Sequence, residues 1–237
     1  MNIVIIGATS GIGKALYEHY VSKGDRVGIV GRRTHLLEEL RKKFPDNTIT
    51  VTADITKQDE AEKAINMLRS ELQHIDIAIV SSGMGNLNTE LDYTLERPVL
   101  DTNVTGWTLV VDTLYHLFEQ QGYGHLAAIS SIGGLHGAPI APSYCATKAY
   151  QINYLESLRM KAFKAGNRIH ITDIRPGFVD TAMVKDVGFF WVMPVEKVAR
   201  QIVTAIRKRK SKVYVTKRWH VLAILYKNLP FFWLKRL

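Results

Sequence analysis

The 237-residue chain is 46% hydrophobic and suits one compact domain with a real core. Its lone cysteine, Cys145, excludes an internal disulfide framework and fits a reducing compartment. The net charge of +9 is uneven: residues 197–237 carry 12 Lys and Arg and no acid, while residues 1–196 carry 19 basic against 22 acidic residues, which argues against nucleic acid as a partner of the body.

In chain order, strand-like and helix-like segments alternate. The opening run 2–6 is apolar with no positive charge ahead of it, so it reads as a buried strand and not a signal peptide. A helix follows from Gly11 to about Lys23. Then come strand 26–30, amphipathic helix 35–44, strand 48–54, helix 58–73 and the buried strand 76–82. Residues 94–121 are largely helical despite Pro98. Strand 125–131, long helix 143–165, strand 168–174, helix 195–209 and strand 212–216 complete the series. Seven strands alternating with helices imply a parallel, doubly wound α/β sheet of the Rossmann type, with helices on both faces. Ligands in such folds bind beyond the carboxyl ends of the strands, at the switch point. No stretch reaches the ~18 apolar residues of a membrane span.

"GATSGIG" (7–13) joins the first strand to the first helix. Gly7, Gly11 and Gly13 permit a tight turn, and backbone N–H groups from Gly7 through Ser10, Ile12 and Gly13 can then approach a pyrophosphate at the helix N-terminus. A plain strand-to-helix turn is the competing reading; the placement after the first strand favours a dinucleotide. The second strand ends in Gly31-Arg32-Arg33, with no carboxylate for a ribose 2′-hydroxyl. A guanidinium pairs with a 2′-phosphate, so NADP(H) is expected, with Arg32 as main contact and Arg33 as second. Asp54 and Ile55, at the end of the third strand, are placed at the adenine. Ser82 and Gly83 end the fourth, where small residues admit the cofactor.

"YCATKAY" (144–150) puts Tyr144 and Lys148 four residues apart, on one helical face with Cβ atoms roughly 5–6 Å apart. Tyr150 has only Tyr154 on its face. A cation ~4 Å from a phenol, at an effective dielectric of ~20, is worth about 4 kcal/mol, or up to ~3 units of pKa. That would poise the phenol for proton transfer near neutrality. Alone, such a pair is a common accident. Here Ser131 ends the fifth strand and Asn103 lies in the preceding helix within "DTNVTG".

Together these residues resemble the short-chain dehydrogenase/reductase family in its compact single-domain branch. The resemblance covers about 1–216 and rests on the glycine turn, Asp54, Asn103, "ISS" ending at Ser131, Tyr144 with Lys148, and "RPGFVDT" (175–181). It implies Tyr144 as general acid in carbonyl reduction and base in alcohol oxidation. Lys148 would lower its pKa and hold the nicotinamide ribose. Ser131 would stabilise the reacting oxygen. Asn103 would hold a helix and a water linking Lys148 to solvent. Pro176 and Gly177 would pass beside the nicotinamide, with Thr181 near its carboxamide or the diphosphate. Two departures stand out: Ser81-Ser82-Gly83 replaces the usual Asn-Ala-Gly type turn, and Ser10 stands where many NADP-using members carry a basic residue. The family also implies a homodimer or homotetramer. Redox sensing or membrane recruitment without catalysis is the runner-up.

Other residues are candidates for packing. Ser130 alternates with Ser131 and faces the other way. Cys145 reads as a packing thiol and His136 as a loop residue able to touch substrate. No metal-ligand spacing is present, so no metal is expected. Phe189, Phe190, Trp191 and Met193 form either an apolar lid favouring a lipophilic carbonyl or packing against the sheet. The extension 217–237 mixes five Lys/Arg with Trp219, Trp233 and aliphatic residues, split by Pro230. It is read either as a peripheral membrane contact or as a segment packed over the cleft or an oligomer interface. The expected location is cytoplasmic, at the inner face of a membrane if the extension binds lipid.

Overall fold

The computed structural model describes residues 1–182 and 191–236. Strands β1 (Asn2–Ile6), β2 (Arg26–Gly31), β3 (Thr48–Thr52), β4 (Ile77–Val80), β5 (Tyr123–Ile129), β6 (Arg168–Pro176) and β7 (Lys212–Val215) form one parallel sheet in the order β3-β2-β1-β4-β5-β6-β7. Parallel strands need crossovers, and here these are helices on both faces. Helices α1 (Gly11–Val21), α2 (Thr34–Lys43) and α7 (Val195–Arg207) cover one face. On the other lie α3 (Gln58–Leu72), α5 (Trp107–Gln121) and α6 (Pro142–Lys164), with α4 (Tyr93–Leu100) against α6. Strand β1 shows why both faces are needed: Ile3 and Ile5 enter one core, Val4 and Ile6 the other, and all are buried.

The chain direction reverses its strand order between β1 and β4, so their carboxyl ends leave a crevice. Residues 94–121 are not one regular helix. Between α4 and α5 the backbone widens into a π-helical turn over Asp101–Gly106, which carries Asn103. Such turns expose backbone groups for use outside the helix, and this one is used so. After β7 the chain continues as α8 (Lys217–Lys227) and α9 (Phe231–Leu234), separated at Pro230. Among the described residues no helix is long and apolar enough to cross a membrane.

Candidate active site and dinucleotide cleft

A single cleft of about 1160 Å³ lies over the carboxyl ends of the strands. Pockets for one drug-sized ligand run to roughly 1,000 Å³, so this cleft has room for a dinucleotide and a second molecule.

Its floor is the glycine turn. Gly7 has φ of 89° and Gly11 of 53°, a conformation that disfavours side chains. A Cβ on Gly13 would stand 2.1 Å from the Gly7 carbonyl oxygen. Gly13 therefore serves the close packing of helix on turn and lies under the cleft, not in its lining, whereas Gly7, Ser10, Gly11 and Ile12 do line it. The first N–H groups of α1 point out of this turn without helical partners, as at every helix start.

At the rim, the two arginines point in different directions. Arg33 lies across the turn, its Nη2 donating to Thr9 Oγ1 at 2.7 Å and to Ser10 Oγ at 2.8 Å. Arg32 reaches outward and pairs loosely with Asp54 at 3.9 Å. Burial works to raise the Asp54 pKa, but the Thr56 N–H and hydroxyl, with Arg32, hold it below its ordinary value. Asp54, Ile55, Ser82, Gly83, Pro176, Gly177 and Thr181 all line the cleft. A Cβ on Gly11 would meet the Thr181 methyl at 3.1 Å, which sets Thr181 against the turn. Ser82 Oγ is buried with no hydrogen-bond partner among the described residues. A buried hydroxyl in that state calls for a polar partner. The glycine cradle, the guanidinium beside it and this orphaned hydroxyl fit a dinucleotide.

At the other end stand Ser131, Tyr144 and Lys148, brought together by the end of β5 and the first turns of α6. The Ser131 side chain accepts from the Gly133 N–H at 3.0 Å, which fixes its rotamer. It also stands near enough to the Tyr144 phenol to favour the ionised form. The Tyr144 ring packs on Gly85, where a Cβ would lie 2.7 Å from the ring. Desolvation pushes the phenol above its ordinary pKa, and the Ser131 hydrogen bond only partly offsets this. This corrects the expectation of a depressed tyrosine pKa. The lysine does not point at the phenol oxygen: Lys148 Nζ lies 5.8 Å from the ring centroid and donates to Ile129 O at 3.0 Å and Gln151 Oε1 at 2.9 Å. Burial lowers the Lys148 pKa to about 8, with Asp173 pulling the other way.

Asn103 is fully buried behind the cleft wall. Its amide clamps the chain after β4, accepting from Met84 N at 2.8 Å and donating to Met84 O at 2.7 Å and Thr147 Oγ1 at 3.1 Å. The Asn103 backbone carbonyl is tied to the lysine through a side chain. Gln151 Nε2 donates to Asn103 O at 2.9 Å while its Oε1 accepts from Lys148. Gln151 was missed from the sequence, although Tyr144, Lys148 and Gln151 share one face at i, i+4 and i+7.

Behind β5, Ser130 faces away from the cleft as alternation requires and donates to Asp173. Arg175 grips the same carboxylate through Nε and Nη2, both at 2.6 Å. Cys145 is buried, and burial raises its thiol pKa, in keeping with packing. His136 has a partner that sequence reasoning did not find: its ring bonds Tyr226 O at 2.8 Å. That contact ties the loop after β5 to α8. Trp219 is buried directly over Gly177, leaving no room for a Cβ there, and it lines the cleft with Leu222, Ala223 and Tyr226. The extension thus packs over the cleft. Of the proposed lid, Phe189 and Phe190 lie outside the described residues. Trp191 sets its ring edge against Trp219 at 6.4 Å, and Met193 exchanges backbone bonds with Phe178 and Asp180; neither lines the cleft. No metal-holding cluster occurs among the described residues.

A family model described as short chain dehydrogenase matches residues 1–188. An oxidoreductase of Myxococcus xanthus is 30% identical, over 78% of this chain and 75% of that one. The 11-beta-hydroxysteroid dehydrogenase 1A of Arabidopsis thaliana is 28% identical over 96% of this chain and 71% of its own. Among solved structures, the 3-ketoacyl-(acyl-carrier-protein) reductase of Brucella melitensis, complexed with NADH, shares the fold: TM-score 0.82, 20% identity, 90% of this chain and 96% of that chain.

Proposed function

The chain belongs to the short-chain dehydrogenase family and is an oxidoreductase, and from that premise we propose that it reduces a lipophilic carbonyl with NADPH. One observation carries the reading: Ser131, Tyr144 and Lys148 converge in the same cleft as the glycine cradle.

When bound, the nicotinamide supplies the hydride. Gly7, Ser10, Gly11 and Ile12 would hold the diphosphate, Arg33 and Arg32 the 2′-phosphate, Asp54 and Ile55 the adenine side. Ser82, Gly83, Pro176, Gly177 and Thr181 would border the nicotinamide half. Arg33 is the better-placed arginine, because Thr9 and Ser10 already fix its fork beside the turn. The Ser131 hydroxyl orients the substrate oxygen toward the phenol. Tyr144 keeps its proton at neutral pH because its pKa is raised, so it enters the reaction as a donor. That suits reduction: the alkoxide formed on the substrate is far more basic than a phenolate. Lys148 has one ammonium proton left after Ile129 and Gln151, and that proton is free to meet a ribose hydroxyl. Gln151 positions the lysine. An amide donates from nitrogen and accepts at oxygen, so it fixes the ammonium without passing a proton along.

The substrate end is walled by Trp219, Leu222 and Ala223, which favours an apolar ketone or aldehyde. The Arabidopsis relative, a hydroxysteroid dehydrogenase by name, agrees with a bulky apolar substrate. Assembly as a homodimer or homotetramer through the long helices belongs to the same reading, Met160 and Phe163 of α6 being exposed. The test is consumption of NADPH and NADH across carbonyls of increasing apolar size. Faster turnover with size and a preference for NADPH support the proposal; preference for NADH or for small polar carbonyls refutes it.

A further inference from the structure

Helix α8 has two apolar faces. Trp219, Leu222, Ala223 and Tyr226, at i, i+3, i+4 and i+7, turn inward and wall the cleft. On the outward side Val221 and Ile224 are 62% and 51% exposed, Leu225 at the mouth of the cleft is 63% exposed, and the row continues into α9 with Phe231, Phe232 and Trp233 at 77%, 51% and 56%. Six exposed large apolar side chains in thirteen residues exceed the scattered single ones of an ordinary surface.

The charge within this segment has one sign. Residues 217–237 hold five Lys and Arg and no Asp or Glu. Arg218, Lys227, Lys235 and Arg236 are exposed. Arg236 lies 3.9 Å from the Phe232 ring centroid and 5.7 Å from that of Trp233, and Lys235 lies 5.3 Å from Phe232. Cations set beside exposed aromatic rings match the headgroup zone of a bilayer, where both kinds of side chain find partners. The basic stretch Arg207–Lys212 takes no part: it precedes β7 and lies at the opposite end of the sheet.

We propose that the outward face of α8 and α9 seats on an anionic bilayer, so that the cleft, walled by the inward face of the same helix, draws its substrate from the lipid. The second half rests on the reading of a lipophilic carbonyl substrate; the first does not. A second copy of the chain fits this face poorly. A two-fold contact would bring the exposed cations Arg218, Lys227, Lys235 and Arg236 against their equivalents, with no acid within the segment to relieve them. Spanning is excluded by length: the 11 residues of α8 rise about 16 Å against a hydrocarbon core of about 30 Å.

The experiment is co-sedimentation of the full chain with phosphatidylcholine vesicles with and without phosphatidylglycerol, at low and high salt. NADPH binding and turnover of a water-soluble carbonyl are read in parallel. The variants are Lys235→Glu with Arg236→Glu, and Phe231→Ser with Phe232→Ser and Trp233→Ser. None of these residues lines the cleft, so soluble turnover and NADPH affinity stay at wild-type levels. Binding is expected only to anionic vesicles, weakened by salt. Removing a cation from a lipid surface weakens partitioning about fivefold, so reversing two lowers it at least ~25-fold. The aromatic triple variant loses binding, and turnover of a vesicle-dissolved carbonyl falls with it. Three results overturn the proposal: no sedimentation of the wild type with anionic vesicles, equal sedimentation of the charge-reversed variant, or a dimer dissolved by the aromatic variant in a protein that ignores vesicles. Vesicle binding without turnover of any carbonyl refutes the reduction reading alone and upholds the docking.

Discussion

Gln151 gives the sharpest handle on the electrostatics of the site. It accepts from Lys148 Nζ at 2.9 Å, is fully buried, and belongs to α6 beside the cleft. Two substitutions should move the lysine in opposite directions. Gln151→Glu sets a carboxylate at that acceptor position. Opposite charges at 4 Å and an effective dielectric of 20 attract by about 4 kcal/mol, or ~3 units of pKa. Burial of the new carboxylate and loss of its bond to Asn103 O offset part of that, so a rise of at least about one unit is expected. Gln151→Leu removes a hydrogen bond to a charged group, worth about 1.5–3 kcal/mol, which lowers the lysine by roughly 1–2 units. Since the native lysine stands at about 8, the alkaline limb of kcat/KM for NADPH-driven reduction should fall near that pH. Activity is present below the limb, where Lys148 is charged, and declines as pH rises through it. The limb should shift up in Gln151→Glu and down in Gln151→Leu. Both variants losing activity with the limb unmoved would show Gln151 to be packing only, and the limb to belong to another group.

The remaining predictions address the cofactor end and the core behind the site. Arg33→Ala should weaken NADPH binding about 10–100-fold in a fluorescence titration while leaving NADH nearly unchanged, because a charge-assisted hydrogen bond is lost only to the 2′-phosphate. Arg32→Ala should cost less, since Arg32 is exposed and only loosely paired. Asp173→Ala leaves Arg175 buried without its carboxylate, a loss of about 3–5 kcal/mol. For a chain of this size that is a fall in Tm on the order of 10 °C by calorimetry.

The sheet was legible because β-branched runs alternate with amphipathic stretches from Asn2 to Val215, and parallel strands buried on both faces leave little else to that pattern. Tyr144, Lys148 and Ser131 were legible because helical spacing and strand ends place them without knowledge of distant contacts. The lysine's partner was not: a glutamine on a helix reads as a solvated position, and only the π turn of another helix, which offers the Asn103 carbonyl, makes Gln151 a buried bridge. The directions of Arg32 and Arg33 were not legible for a like reason. Two adjacent arginines at a strand end differ only in direction, and that is set by the distant hydroxyls of Thr9 and Ser10. The tyrosine pKa was misjudged by counting the lysine's charge without the desolvation of the phenol. For the C-terminal extension the sequence leaves open a lipid surface, the cleft or an oligomer interface, and its packing over the cleft depends on Gly177 leaving space for Trp219.

The central claim is that Tyr144 delivers the proton in a carbonyl reduction, and Tyr144→Phe tests it most directly. Turnover of the best carbonyl and the affinity for NADPH are measured side by side in wild type and variant. The expected result is a wild type that consumes NADPH and a variant that binds it equally well while turnover falls at least about 100-fold, the lower range for loss of general acid catalysis. A variant that turns over like the wild type would contradict it, and the proton donor would have to be sought elsewhere in the cleft.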